Sequence, residues 1–276
     1  MRGGRSDRKP RRKRDASPAR EVGLTEERSE PIVRLTDVSK HFGAIHALSR
    51  VSLAIGAGEV VGLMGDNGAG KSTLVKILAG NYPPTSGSYF IDGKPVHLAN
   101  PAEARSYGIE VVYQDLALCN NLTAAANVFL GREMMRGSGL FRWLDHKAMA
   151  KRADVLFREL QSETRSRDLV ERMSGGQRQA VAIARTRLSD AKLVLMDEPT
   201  AAISVRQVAQ VLTLIKRLRD QGHSVVLISH RMPDVFASCD RVIVMRRGRK
   251  VADKPIRASS PEEVTGLITG AINEAA

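Results

Sequence analysis

The 276-residue sequence predicts an α/β domain with a buried parallel sheet and an inserted helical subdomain. Three observations lead there. The runs "IEVVYQ" (109–114), "KLVLMDEP" (192–199) and "SVVLISH" (224–230) are compact, apolar and end in polar groups. Buried parallel strands that hold functional residues at their carboxyl ends look this way. The segments between them carry helical periodicity, and the stretch from about 115 to 172 is poor in strand signals.

In chain order, "IVRLTDV", "VSLAI" and "EVVGLM" are β-branched-rich segments between polar or Gly-containing turns, and they predict strands. Helices are predicted over 145–160 and 175–188. A further helix follows from Val205, Val208, Val211, Leu212, Ile215 and Leu218, which recur at helical spacing before a stop at Gly222. After 240, "RVIVMRRGRKVA" predicts a closing hairpin, and a short final helix follows. There is no internal repeat. The predicted boundaries are a basic tail (1–30), the ordered domain (31–260, with the helical insertion about 115–178) and a C-terminal helix or tail (261–276).

With 42% hydrophobic and 26% charged residues, the composition is that of a globular protein. No window approaches 18 consecutive apolar residues, which excludes a membrane-spanning helix, and the basic N-terminus lacks the apolar core of a signal peptide. Cys119 and Cys239 are two lone thiols without metal or redox spacing, as in a reduced, cytosolic protein. The net charge of +13 is unevenly spread: residues 1–20 hold nine Lys/Arg against two Asp. That tail, almost free of apolar residues, is expected to be disordered. It reads either as an electrostatic anchor for nucleic acid or anionic lipid, or as a solvated extension.

"GDNGAGKSTLVKILAG" follows a predicted strand and opens a helix. Gly65 to Ser72 match the phosphate-binding loop pattern G-x-x-x-x-G-K-[ST] in the context it requires. Gly65, Asp66, Asn67, Gly68, Ala69 and Gly70 turn backbone N–H groups toward phosphate, and Thr73 completes the cradle. Lys71 supplies positive charge, and the Ser72 hydroxyl suits Mg²⁺. Asp197 ends an apolar strand, placing a carboxylate near a Mg²⁺ hydration shell. Glu198, next to it, is in position to polarise an attacking water. Gln114 and His230 also end predicted strands, so a parallel sheet delivers them to the same crevice. This much predicts a P-loop NTPase.

A second turn, "MSGGQRQ" (173–179), precedes a predicted helix and has the form of another anion site. The order of phosphate loop, Gln114, Ser174-Gly175-Gly176-Gln177, Asp197-Glu198 and His230 resembles the ATP-binding cassette (ABC) ATPases from about residue 31 to 260. The family has Leu where Met173 stands. The resemblance implies a RecA-like core, an N-terminal antiparallel β subdomain and the helical insertion. It also implies two cassettes closing head to tail, with Ser174, Gly175 and Gly176 serving the partner's ATP. By the same resemblance Phe42, in "KHFGAIHAL", stacks on adenine, and Ser72, Gln114 and Asp197 surround Mg²⁺. Glu198 is then the general base and His230 the γ-phosphate switch. Where the family often has Ser-Ala-Leu-Asp, this chain has Ala201-Ala202-Ile203-Ser204, which puts part of the cross-dimer hydrogen bonding in doubt.

"DNGAGKSTLVKILAG", "VVYQDLALCNNLTAAANVFLGRE" and "MDEPTAA" are similar to single-cassette members of the simple-sugar importer class. The implied partners are a second cassette, identical or paralogous, an integral membrane permease and, indirectly, an extracytoplasmic solute-binding protein. The implied place is the cytoplasmic face of the membrane. Leu116, Leu118, Leu122, Phe129 and Leu130 are candidates for the permease-docking groove, or equally for the helical subdomain's core. An exporter, a soluble ABC ATPase acting on nucleic acid or ribosomes through the basic tail, and a regulatory ATP binder remain alternatives at this stage.

Overall fold

The computed structural model describes residues 30–138, 141–189, 191–201 and 203–272. Residues 1–29 of the predicted basic tail lie outside these residues, as do the last four residues of the predicted C-terminal segment. Among the described residues the chain begins with two long strands, β1 (Val33–Phe42) and β2 (Ile45–Ile55), followed by β3 (Val60–Gly65) and α1 (Lys71–Leu78). Next come β4 (Ser86–Ile91), β5 (Lys94–Val96), α2 (Pro101–Ser106) and β6 (Ile109–Val112). The insertion holds α3 (Ala124–Val128), a ribbon of β7 (Met135–Arg136) and β8 (Trp143–Leu144), and α4 (His146–Glu159). It leads into α5 (Gly175–Thr186), β9 (Leu193–Asp197), α6 (Val205–Asp220) and β10 (Ser224–Ile228). The chain closes with α7 (Met232–Ser238), β11 (Arg241–Arg246), β12 (Arg249–Pro255) and α8 (Pro261–Thr269).

Two sheets organise these elements. One is antiparallel, in the order β2-β1-β4-β5. The other runs β12-β11-β3-β10-β9-β6 and is parallel except for the β11–β12 hairpin. All residues of β3 and β10 are buried, which is why these strands read as unbroken apolar runs. Their side chains still alternate between two cores. Val60, Met64, Val194, Met196, Val225 and Leu227 face the helical side with α3–α6. Val61, Leu63, Leu193, Leu195, Val226 and Ile228 face α1 and the antiparallel sheet. The parallel sheet is therefore a shared wall, covered on both faces.

The helices follow their caps and apolar stripes. Asp145 accepts from the Ala148 N–H at 2.8 Å to start α4, whose Met149, Ala153, Leu156 and Phe157 are buried at helical spacing. In α6, Val208, Val211, Ile215 and Leu218 are buried as the periodicity predicts. Val205 departs from that pattern: as the first residue of α6 it is 83% exposed, and the buried stripe begins one turn on at Val208. β6 and β10 end at Val112 and Ile228, each two residues short of the predicted strand ends at Gln114 and His230.

Candidate functional site

Parallel register sets the first fact about the site. Ile228 pairs with Asp197 and with Leu63, and Val112 pairs with Met196. The carboxyl ends of β3, β10, β9 and β6 therefore open along one edge. Gly65, Asp197, His230 and Gln114 leave the sheet there, the last two from turns just beyond their strands.

At β3 the chain turns sharply. Gly65 has φ +152°, and a Cβ there would stand 2.3 Å from the Met245 carbonyl oxygen. Gly70, at φ +99°, would collide with the Ala47 carbonyl at 2.7 Å. Only glycine fits either position. The turn presses against the β11–β12 hairpin, where the Gly248 N–H donates to the Ala69 carbonyl at 3.0 Å. Asp66, Asn67, Gly68 and Ala69 line a 480 Å³ cavity opposite Arg246 and Arg247 of that hairpin. Ser72 and Thr73 lie in the first turn of α1, whose N-terminal dipole points into the loop.

Lys71 is buried, and its ammonium donates to the Gly65 and Asp66 carbonyls at 2.7 and 2.9 Å. Burial lowers its pKa, against the raising influence of Glu198, Asp66 and Asp197. Burial pushes the Asp197 pKa up, and the Glu198 charge adds to the push, while Lys71 and Lys76 oppose it. Lys71 and Asp197, both shifted by burial, thus stand beside Glu198 at one sheet edge, an arrangement suited to anion and cation chemistry.

Glu198 is held in an uncommon way. It has φ +47°, in the left-handed region, with its N–H on the Ile228 carbonyl at 2.9 Å. Its Oε1 lies 3.0 Å from Nδ1 of His230. Strained backbone of this kind concentrates where a side chain must be aimed. Gln114 is exposed, at the head of a turn in which Leu116 and Ala117 also have positive φ.

Phe42 is 41% exposed at the end of β1 and meets Tyr82 edge-on at 5.4 Å. Tyr82 carries no signal in the sequence, since nothing in "GNYPP" ties it to Phe42. Equally unsignalled is the buried hydrogen bond from Thr200 to Asp234 at 2.5 Å, with Arg231 3.3 Å from the same carboxylate oxygen. That bond ties the segment after Glu198 to α7.

The second predicted anion turn stands apart from the first. Ser174 caps α5: its hydroxyl accepts from the Gln177 N–H at 3.3 Å, and the Gln177 side chain accepts from the Ser174 N–H at 2.9 Å. Ser174, Gly176 and Gln177 open onto a 690 Å³ groove shared with Ser204, Gln207 and Gln210. Ser204 leads into α6 with the same device, its N–H donating to Gln207 Oε1 at 3.0 Å. The structure places these residues together at the ends of α5 and α6, and it does not bring them to the chain's own phosphate loop.

The candidate docking residues divide. Phe129 is in the core, and Leu118 leans on it. Leu122 and Leu130 are half-buried. Leu116 lines a separate 140 Å³ crevice between β6 and α5, with Tyr113, Ala117, Arg105, Arg132 and Arg185. Phe129 is thus a packing residue, because the end of α3 buries it in the core shared with α4 and α5. In the crevice wall Arg132 binds Glu110 at 2.6 Å, and Ser189 donates to the same Glu110 oxygen at 2.6 Å.

The chain matches the family model described as "ABC transporter" over residues 48–201. It is 43% identical to the xylose/arabinose import ATP-binding protein XylG of Sulfolobus acidocaldarius, covering 86% of this chain and 94% of that protein. It is 41% identical to the fructose import ATP-binding protein FrcA of Rhizobium meliloti, covering 88% and 95%. The ribose import ATP-binding protein RbsA 2 of Escherichia coli O157:H7 is 43% identical, but this chain spans only 43% of its length. Among solved structures, a nucleotide-free ATP-binding cassette from an ABC transporter superposes with TM-score 0.74 at 26% identity, covering 87% of this chain and 95% of that one. A dimeric, post-hydrolysis cassette bound to ADP and Pi superposes with TM-score 0.67 at 29% identity, covering 82% and 100%.

Proposed function

The chain belongs to the ABC transporter family of ATP-binding cassettes, and from that premise we propose that it is the ATP-hydrolysing subunit of a carbohydrate importer. The observation that carries the sugar class is the match, along nearly the full length of both chains, to single-cassette sugar-import ATP-binding proteins. Nothing favours a nucleic-acid role.

In this reading two cassettes enclose each ATP. Phe42 stacks on adenine, backed by Tyr82. The loop from Gly65 to Thr73 binds the phosphates of its own nucleotide, and Lys71 leaves the Gly65 and Asp66 carbonyls to meet them. Ser174, Gly175, Gly176 and Gln177 meet the γ-phosphate held by the partner, which explains why the two phosphate turns lie apart within one chain. Glu198 polarises the attacking water, and His230, 3.0 Å from it, holds the carboxylate in place and senses the γ-phosphate.

The residues present fit Mg²⁺. No group of three or more His, Cys, Asp or Glu among the described residues forms a protein cage. Mg²⁺ in nucleotide sites does not need one, since phosphates and waters supply most of its ligands. Ser72, Asp197 and Gln114 offer the hard oxygen donors. Bound there, the ion would neutralise phosphate charge and relieve the Asp197–Glu198 repulsion.

No helix among the described residues is long and apolar enough to cross a membrane. In the importer reading the pathway belongs to a separate permease, served outside by a solute-binding protein, with this chain peripheral on the cytoplasmic face. The crevice of Tyr113, Leu116 and Arg132 seats the permease and links its movement to Gln114. The test is affinity purification of tagged Glu198→Gln protein from detergent-solubilised membranes with ATP. Recovery of a multi-spanning protein encoded beside a solute-binding protein is the expected result. Recovery of ribosomes or nucleic acid without a membrane subunit would reject the proposal.

A further inference from the structure

The insertion contains a feature that the ATP site does not use. Among the described residues β7 and β8 pair only with each other, Met135 opposite Leu144 and Arg136 opposite Trp143. A two-residue ribbon has little stability of its own. Yet this one exposes Met134, Met135, Phe141, Trp143 and Leu144, with Phe141 78% and Trp143 53% accessible. Just after β7, Gly137 has φ +91°, and a Cβ there would meet the Phe141 carbonyl at 2.0 Å. The Asp145 N–H closes the base on the Met134 carbonyl at 2.8 Å.

Directly opposed residues share a face, so one side of the ribbon carries Met135 and Leu144 and the other Arg136 and Trp143. From Arg132 to Arg152 there are six Lys/Arg against two carboxylates, Glu133 and Asp145. We propose that the β7–β8 ribbon is a contact for an anionic lipid surface, with Phe141 and Trp143 entering the headgroup region while Arg136 and Arg142 meet lipid phosphates. Aromatic bodies beside basic groups are the side chains that settle at such an interface. A protein partner would call for one apolar face seated in a concavity, whereas this ribbon is apolar on one face and cationic-aromatic on the other. Its position agrees with the permease reading above, on which this last point rests. Arg132 lines the crevice, and Met135 follows it within a chain reach of about 10 Å.

Trp143 is the chain's one tryptophan, so its fluorescence reports this ribbon alone. The full chain is mixed with phosphatidylglycerol/phosphatidylethanolamine vesicles and, separately, with phosphatidylcholine vesicles. A blue shift of Trp143 emission, quenching by lipid-borne quenchers and loss of both at high salt are expected with the anionic vesicles only. Arg136→Glu with Arg142→Glu is expected to abolish the shift while leaving basal ATP hydrolysis unchanged. Sedimentation with vesicles but no change at Trp143 would assign the binding to the basic N-terminal segment and overturn the proposal. A shift that appears only when permease is present in the vesicles would make the ribbon a protein contact and overturn it equally. Failure of the permease co-purification with the lipid shift intact would reject the transporter reading and not the ribbon's.

Discussion

A Cβ on Gly175 would stand 2.7 Å from Cγ2 of Ile203, and one on Gly176 would stand 2.9 Å from Oε1 of Gln210. The Ser-Gly-Gly turn therefore has a reason for its glycines inside its own chain. Neither is in the left-handed region; what they give is close approach of the α5 N-terminus to the start of α6. The sequence suggests only access for an anion, and the structure adds a packing demand to it.

The two roles separate by mutation. Gly175→Ala overpacks the contact with Ile203 and is expected to cost about 1–3 kcal/mol. Ile203→Ala in the same chain makes room and is expected to recover most of the lost stability. If Gly175 also approaches a partner's nucleotide, the double variant melts near the wild-type temperature but hydrolyses ATP slowly. A Gly175→Ala protein as stable as wild type would remove the packing argument.

Ser174→Arg puts a long side chain on the groove face of the turn and is expected to stop hydrolysis while nucleotide still binds. Because Ser174 also caps α5, Ser174→Ala serves as control, with an expected loss of about 1 kcal/mol in stability. Binding of a fluorescent ATP analogue separates the outcomes. Were Ser174→Arg to abolish nucleotide binding at a stability matching the control, the phosphate turns would not belong to different ATPs.

Glu198→Gln keeps the size of the side chain and removes its basicity. Hydrolysis is expected to fall at least ~100-fold, which corresponds to about 2.7 kcal/mol of barrier, while ATP-dependent dimers persist. Light scattering and phosphate release measure the two halves. A wild-type protein as slow as this variant, with its permease present, would make the chain a nucleotide sensor instead of an engine.

Much of this site is legible in the sequence because its parts are local. The phosphate loop lies in eight consecutive residues, and the buried strands announce themselves by unbroken apolar runs such as "VVLI". What escapes depends on neighbours far along the chain. β4 opens with Ser86-Gly87-Ser88, and it becomes a strand because β1 pairs with it from Val33 to Ser39. Tyr82 reaches Phe42, and Thr200 reaches Asp234, across intervals with no periodic signal. Glu198 at φ +47° could not be foreseen either, since propensity argues against that conformation for glutamate and only the tertiary setting imposes it.

Asp197 gives a stability prediction of opposite sign for the nucleotide-free and the Mg²⁺–ATP-bound protein. Its ordinary pKa of 3.8 is raised in the folded chain, by burial first and by Glu198 second. Between 3.8 and the raised value the folded state holds more protons than the unfolded state, so stability falls as pH rises through that window. Above it the ionised carboxylate is a constant cost to the nucleotide-free protein. Asp197→Asn removes that charge and nearly keeps the shape, so the variant is expected to melt above wild type at pH 7.5 without nucleotide or Mg²⁺. Each 1 kcal/mol gained corresponds to roughly 2–4 °C for a chain of this size. The advantage is expected to shrink as the pH falls through that window and the wild-type group takes up its proton. With Mg²⁺ and ATP the order is expected to reverse, because the carboxylate is then a ligand and the amide a poorer one. Thermal melts across pH, with and without Mg²⁺–ATP, measure both halves. An Asp197→Asn protein less stable than wild type at pH 7.5 in the nucleotide-free state would mean that attraction to Lys71 outweighs burial and Glu198.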